Sequence, residues 1–568
     1  MDMSVIEITS ESKLENIEQH FRVSAGPGAG KTHWLSEHIK NILHRSARLE
    51  KTRKIACITY TNIAVETILT RLGTSAERAE ISTIHSFLYK QILKPYAPLI
   101  ASEYGLNISE MDGHDDVILS NYGFLNEWKT KTGQQRIRED NLIVKAFKAI
   151  KWKFDTSGNL VAMTDYPHKV GSYSIKTASY FEYKKMTWEK GMIHHDDVLF
   201  FSYQIIKKFP FVLEVLRAKF PYIFIDEFQD SSPIQVAIFR EIGMHESIIG
   251  IIGDKAQSIY KFQGADPTQF QLFQLPDMVN YVMKENRRST NEIIDALNLI
   301  RADIKQEKYR NESNMKPMII VGEIISASQK VKLLCTNEPI YSLSRDNITA
   351  NVMKKEVSGI HNSKLFEELA DVDKASSSNK YRSKIVAICI KAIEYAKEGK
   401  FKDAIKEMEK EFKTRTDPSI GRRVCLDHIV FLLSEYDNYK NGSLFNFFTI
   451  LKRDIKPEIS DLRSGGAKTF YDAHSYEQMS LCVKIPEDLS HDKTIHKAKG
   501  DEFDNVLLIL SEEKDLLFIL NPDIENNEEH RINYVGVSRA KNKLFISVPE
   551  LSDANKIALQ SKFQIEIL

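Results

Sequence analysis

One stretch constrains the fold of this chain more than any other: FRVSAGPGAGKTHWLSEHIKNIL, residues 21–43. It reads as a short strand, a glycine-rich turn and an amphipathic helix whose apolar positions are Leu35, Ile39, Ile42 and Leu43. Such a turn surrounds an anion, because glycines let backbone N–H groups close in and the helix N-terminus adds partial positive charge.

Within it, Ala25, Gly26, Pro27, Gly28, Ala29, Gly30, Lys31 and Thr32 are the candidate phosphate-binding positions. Lys31 supplies a point charge for β- and γ-phosphates, and the Thr32 hydroxyl can ligate Mg²⁺. The expected cofactor is ATP, or another NTP, with Mg²⁺. The strict pattern begins with Gly, and Ala25 stands in its place.

A second constellation follows at PYIFIDEFQDSSPIQ, where the apolar run Tyr222–Ile225 ends in acids, as a buried parallel strand does at a metal–phosphate site. Asp226 is the candidate Mg²⁺ ligand, and Glu227 the base that orients and deprotonates the attacking water. The alternative is a solvated acidic loop. After a further apolar strand, IIGII, the segment GDKAQSIYKFQGA sets Gln257 where a neutral amide can sense the γ-phosphate. Tyr260 and Phe262, two apart, would project to one side of an extended segment and stack on bases; alone, such a pair is more often core.

The wording DEFQDSSPIQ and then GDKAQSIYKFQGA closely resembles motifs II and III of the UvrD/Rep/PcrA helicases of superfamily 1. Other matches run in the family's order. ITYTNIAVETILTRLG (58–73) resembles motif Ia, STIHSF (82–87) motif Ib and ENRRST (285–290) motif IV. TIHKAKGDEFDNVLLI (494–509) resembles motif V, and INYVGVSRAKNKLFI (532–546) motif VI. The resemblance implies an α/β fold: two RecA-like domains, each a parallel sheet flanked by helices, with mainly helical insertions.

Carried over position by position, Arg288 and Arg539 become arginine fingers of the second RecA-like domain, with nucleotide in the cleft between domains. Glu502 becomes a nucleotide contact. His85 and His496 take positions on the DNA-contacting surface, and Tyr60 joins Tyr260 and Phe262 as a stacking residue. Four departures stand out. No LNxxQ motif precedes the loop, since Gln19 lies too close to Ala25; Arg287 occupies the usual place of a base-stacking Tyr; Gln263 replaces an Arg; and Ile63 replaces a Lys.

The implied organisation is 1–94 and 196–275 for the first RecA-like domain, with a helical insertion at 95–195. The second comprises 276–370 and 476–568, with a reduced helical insertion at 371–475. In the first insertion KAFKAIKWKF (145–154) alternates cations and aromatics. It reads either as a phosphate-and-base contact or as an amphipathic helix with Phe147, Ile150 and Phe154 in the core. YKKMTWEKGMIHHDDVLFFSYQII (183–206) resembles the helical return to the first domain, and its pair His194–His195 is read as no metal site. YSLSRDNITANVMKK (341–355) resembles a strand-to-helix element, AIEYAKEGKFKDAIKEMEKEF (392–412) a helical hairpin, and DVDKASSSNKYRSK (371–384) a flexible boundary or an ordered loop.

Composition narrows the functional class. Lys plus Arg and Asp plus Glu both number 78, so bulk charge does not advertise nucleic-acid binding, and any DNA contact must come from local patches. Five scattered cysteines without CxxC pairs argue against a disulfide framework or a zinc site. The N-terminus carries neither a basic nor an apolar signal region, so the expected location is the cytoplasm, with no membrane partner. After motif VI the sequence runs only to Leu568, so no C-terminal nuclease domain is expected and cleavage is expected to belong to a partner.

Two functional readings follow. One is a DNA-dependent ATPase and 3′-to-5′ translocase or helicase acting on single-stranded or tailed DNA. The other resembles the helicase-like component of Gabija anti-phage systems: an NTP-hydrolysing DNA-end sensor that works with a separate OLD-family nuclease.

Overall fold

The structure, a computed structural model, describes residues 5–113, 118–119, 122–164, 169–170, 173–336, 338–359, 362–374, 382–412, 418–485 and 490–568. The chain forms two compact units: Met1–Ser313 with Pro522–Tyr534, and Asn314–Asn521 with Val535–Leu568.

The first unit is built on a seven-stranded parallel sheet. Its order is Ile6–Glu7, Val279–Met283, Phe21–Ala25, Ile248–Gly253, Tyr222–Ile225, Ile55–Thr59, Ala79–Thr83. The three strands at 55–59, 222–225 and 248–253 are buried along their whole length, which explains their uninterrupted apolar sequence. Successive residues supply opposite faces. Tyr222, Phe224, Ile248 and Ile252 join Phe21, Trp34, Leu35 and Ile39 in one core. Ile223, Ile225, Ile249 and Ile251 join Phe87, Phe200 and Phe239 in the other. Because all strands run the same way, the loops after Ala25, Thr59, Ile225 and Gly253 emerge at one edge, where open α/β sheets bind ligands.

Described residues of the 95–195 region, among them Phe124, Trp128, Phe147, Trp152 and Tyr183, pack into the second of these cores. Their helices include Tyr122–Thr132, Asp140–Lys148 and Ala178–Trp188, accompanied by short two-stranded sheets. The segment 145–154 is not one helix: the helix ends at Lys148, and Lys151–Phe154 forms a strand antiparallel to Leu160–Met163. Its aromatics are core rather than base platforms. Phe147 stacks on Tyr183 at 3.9 Å and Trp152 on Phe200 at 3.9 Å.

At the centre of this packing Asp197 is fully buried. It accepts from Lys184 Nζ (2.9 Å), Trp152 Nε1 (2.9 Å), Trp188 Nε1 (3.0 Å) and the His194 amide (2.9 Å). Burial pushes its pKa up, but Lys184 and the two indoles outweigh burial and hold it below the ordinary aspartate value. A depressed folded-state pKa contributes stability that is present above the unfolded pKa and lost as pH falls through the folded value. Lys184→Met leaves a buried carboxylate without its counter-ion. The expected destabilisation is about 3–5 kcal/mol, read from urea unfolding near neutral pH; a loss below about 1 kcal/mol would show that the pair contributes little.

The second unit carries a six-stranded parallel sheet. Its order is Asp492–Thr494, Ile340–Ser344, Phe503–Ile509, Ala540–Val548, Met318–Val321, Gln564–Ile567. The strand Ile340–Ser344 leads into the helix Asn347–Lys355, capped by Asp346 Oδ1 accepting from the Thr349 amide at 2.9 Å. A helical body between Leu365 and Ile485 has its own core, containing Cys389, Tyr439, Phe447, Tyr471 and Tyr476. The expected hairpin is present as Arg382–Lys397 and Phe401–Phe412, turning at Gly399 with φ 73°. Of the stretch 371–384, residues 375–381 lie outside the described residues. Among the described residues no helix is long and apolar enough to cross a membrane.

Candidate functional site: a phosphate-binding edge

The strand Phe21–Ala25 delivers the loop Gly26–Gly30 into the helix Lys31–Arg45. Gly28 and Gly30 adopt left-handed φ values of 75° and 82°. A Cβ on Gly28 would also meet Asn286 Oδ1 at 2.6 Å and Arg288 Cβ at 2.8 Å; one on Gly30 would meet Ser10 Cβ at 2.8 Å. Both positions therefore need glycine for conformation and for close approach. Lys31 curls back over the loop, its Nζ 3.4 Å from the Ala25 carbonyl oxygen. The first turn of the helix carries no acidic side chain to oppose an incoming anion.

Segment 285–290 packs directly on this loop. The Arg287 amide donates to the Gly28 carbonyl at 2.9 Å. Asn286 Oδ1 accepts from the amides of Arg288 and Ser289, each at 2.9 Å, and Asn286 Nδ2 donates to Gln306 Oε1 at 2.6 Å. Gln306 in turn donates to the Tyr534 hydroxyl at 3.1 Å and lies against Gly26. Arg288 thus belongs to the first compact unit, beside the loop, whereas the resemblance placed it in a second RecA-like domain with Arg539. No sequence signal pointed to Gln306, which stands in no motif.

Two strands along, Asp226 follows Ile225, is nearly buried, and donates its amide to the Ile58 carbonyl at 2.8 Å. Glu227 sits at φ 53°. For a residue with a Cβ this costs about 1–2 kcal/mol, and it turns the side chain out of the strand direction. Gln229 Nε2 donates to the Glu227 carboxylate, and Gln229 Oε1 accepts from the Asp254 amide at 2.9 Å, tying the two loops together. Gln257 Nε2 donates to Asp254 Oδ2 at 2.6 Å, and Asp254 pairs at 2.8 Å with Arg301, both side chains being buried. Burial opposes the Arg301 charge, but Asp254 overrides it and holds the guanidinium well above its ordinary pKa. Arg301 was not foreseen from sequence; its role depends on a partner far away in the chain.

The donor set suits a metal-bound nucleotide. A glycine cradle, one lysine, the Thr32 hydroxyl at the helix start and the Asp226 carboxylate share one sheet edge, all hard or cationic groups appropriate to phosphate and Mg²⁺.

The aromatic candidates divide. Tyr60 and Tyr260 stack on each other, ring centroids 4.8 Å apart, and the Tyr60 hydroxyl donates to Gln263. Phe262, at 6.0 Å from Tyr260, is 65% exposed. His85 is half-buried. Its ring lies 3.7 Å from that of His195, and burial, His195 and Lys151 lower its pKa to about 3. Arg287 is held by Glu285 and Glu11 and lies 4.0 Å over the ring of Tyr309.

In the second unit, Arg539 is buried, its guanidinium bonded to the carbonyls of Val535 (3.1 Å) and Asp501 (3.2 Å). Glu502 pairs with Lys541 at 3.3 Å, and His496 is half-buried in the turn after Thr494.

Comparison with known proteins adds a family to this geometry. Residues 8–276 match the model of the UvrD/REP helicase N-terminal domain, and residues 489–550 that of the UvrD-like helicase C-terminal domain. The chain is 28% identical over 309 residues to the ATP-dependent DNA helicase PcrA of Bacillus subtilis (strain 168), covering 52% of this chain and 38% of that one. It is 26% identical over 323 residues to the Gabija protein GajB of Bacillus cereus (strain HuB5-5), covering 49% and 46%. With PcrA of Staphylococcus aureus (strain Mu50 / ATCC 700699) it shares 26% over 311 residues, covering 54% and 40%. The matches thus span less than half the length of these curated relatives. Two α/β units, each with its own parallel sheet, a glycine-lined strand-to-helix loop and both halves of the family's domain pattern lead to one conclusion: the chain belongs to the UvrD/REP helicase family.

Proposed function

We propose that this chain hydrolyses ATP, or a related NTP, with Mg²⁺, and couples hydrolysis to 3′-to-5′ movement along single-stranded DNA. The observation that carries this reading is the shared sheet edge, where the Gly26–Gly30 loop with Lys31, the pair Asp226–Glu227 and the Gln257–Asp254–Arg301 chain converge. Lys31 and the loop amides hold the phosphates; Thr32 and Asp226 hold Mg²⁺, which when bound neutralises charge on the phosphate oxygens. Glu227, fixed by Gln229, orients a water and accepts its proton. Gln257, locked by Asp254, keeps its amide ready to sense the γ-phosphate. Arg288, beside the loop, meets charge developing on the transferred group. Arg539 and Glu502 are assigned nucleotide roles by family position.

On the DNA side, Phe262 is the exposed ring, whereas Tyr60 and Tyr260 are engaged with each other. Phe262→Ala is expected to weaken single-strand affinity by about 1–3 kcal/mol, measured by fluorescence anisotropy with a labelled oligonucleotide. An unchanged affinity would remove Phe262 from the DNA path. His85 and His496 are proposed only as neighbours of that path.

The direct test is hydrolysis of ATP, dATP and GTP with and without single-stranded and blunt DNA, alongside unwinding of 3′-tailed and 5′-tailed duplexes. Strong single-strand stimulation with unwinding from 3′ tails supports the translocase. A second reading, an NTP-hydrolysing DNA-end sensor acting with a separate nuclease of the OLD type in anti-phage defence, is favoured by Arg287. That residue, already paired with two carboxylates and Tyr309, makes a less selective base platform than a free tyrosine. Broad NTP use triggered by DNA ends without unwinding would select it.

A further inference from the structure

Further along the same sheet edge, beyond the strand Ala79–Thr83, the first unit gathers a second set of ligating groups. His85 stands in the short helix Ile84–Leu88, and His195 and Asp196 open the helix His195–Lys208. The ring centroids of His85 and His195 are 3.7 Å apart at an interplanar angle of 36°. One donor atom each from His85, His195 and Asp196 can be chosen so that all lie within 4.8 Å of one another.

Independently of that clustering, His85 Nε2 is buried and has no hydrogen-bond partner among the described residues. A ring nitrogen withdrawn from water and left unmatched needs an explanation, and an absent ion is one. The Asp196 carboxylate is held 2.9 Å from Lys151, on the strand Lys151–Phe154, so a lysine balances its charge at present.

We propose that His85, His195 and Asp196 form a site for a first-row transition dication of the Zn²⁺ or Co²⁺ type. Two imidazoles and one carboxylate select such ions over Mg²⁺ or Ca²⁺, which prefer oxygen alone, and three protein ligands leave a position for water. The ion would clip two segments far apart in sequence, the one entering the 95–195 region and the one leaving it. Lys151 is its competitor for Asp196. The site is separate from the Thr32–Asp226 pair, and its existence does not depend on the nucleotide or DNA reading.

The experiment titrates the full chain with Co²⁺ in excess Mg²⁺, which saturates oxygen-only sites, following visible absorption, with Zn²⁺ displacement by calorimetry. One ion per chain is expected. His195→Ala and Asp196→Asn should each weaken binding at least about tenfold while far-UV dichroism stays unchanged. Lys151→Met, which frees the carboxylate, should tighten it severalfold. No saturable Co²⁺ signal, equal affinity in either folded ligand variant, or no tightening in Lys151→Met would overturn the three-ligand site. Should His195→Ala fail to fold, Asp196→Asn and Lys151→Met decide.

Discussion

Arg288→Ala is expected to lower DNA-stimulated NTP turnover by about 10³–10⁵-fold, the range associated with removal of an arginine that meets transition-state charge. Its Cβ lies 2.8 Å from where a Cβ on Gly28 would stand, and its amide is fixed by Asn286 Oδ1 at 2.9 Å, so the side chain starts from a rigid base next to the loop. Because the interaction strengthens as charge develops, kcat should fall while nucleotide affinity changes little. Lysine at this position should rescue poorly, since it lacks the planar fork. Steady-state kinetics with a nucleotide-binding titration separate the two quantities. Equal losses in affinity and none in kcat would make Arg288 a ground-state contact.

Lys31→Ala should be nearly as severe but differently distributed. Lys31 Nζ hangs over the loop near the Ala25 carbonyl, and on the proposed reading it neutralises bound phosphate before and during reaction. Both nucleotide affinity and kcat are therefore expected to fall, with the combined kcat/KM down by about 10²–10³ or more. Little change in melting temperature is expected, because Lys31 is a half-buried residue at a helix start rather than a core side chain. Retained turnover in the folded variant would remove the loop from the chemistry.

Much of this site was legible in the sequence because its information is local. A parallel strand covered on both faces must be continuously apolar, so YIFI and IIGII identified themselves, and the residues after them had to lie at one edge. The glycine loop was equally local, since left-handed φ at Gly28 and Gly30 is written in residue type. What escaped was long-range. Gln306, Tyr534 and Arg301 act through partners that only folding brings near, and none carries a pattern of its own.

The segment 145–154 shows a different difficulty. Phe147, Ile150 and Phe154 fit a helical stripe, and that spacing masked a helix-to-strand change after Lys148. The signal that could have exposed it is DTSGN at 155–159. There Asp155 Oδ1 accepts from the amides of Ser157 and Asn159, and Gly158 at φ 80° closes a hairpin. Likewise the pair His194–His195, read as no metal site, gives no hint in sequence that folding sets His195 beside His85.

On the proposed reading, the loop, Asp226 and Glu227 form one engine that DNA engages. The most direct measurement is the steady-state rate of ATP hydrolysis by the full chain with and without a single-stranded oligonucleotide, with Lys31→Ala run in parallel. The rate is expected to rise strongly with single-stranded DNA and to be lost in Lys31→Ala. Hydrolysis indifferent to DNA, or surviving in the folded Lys31→Ala variant, would contradict it.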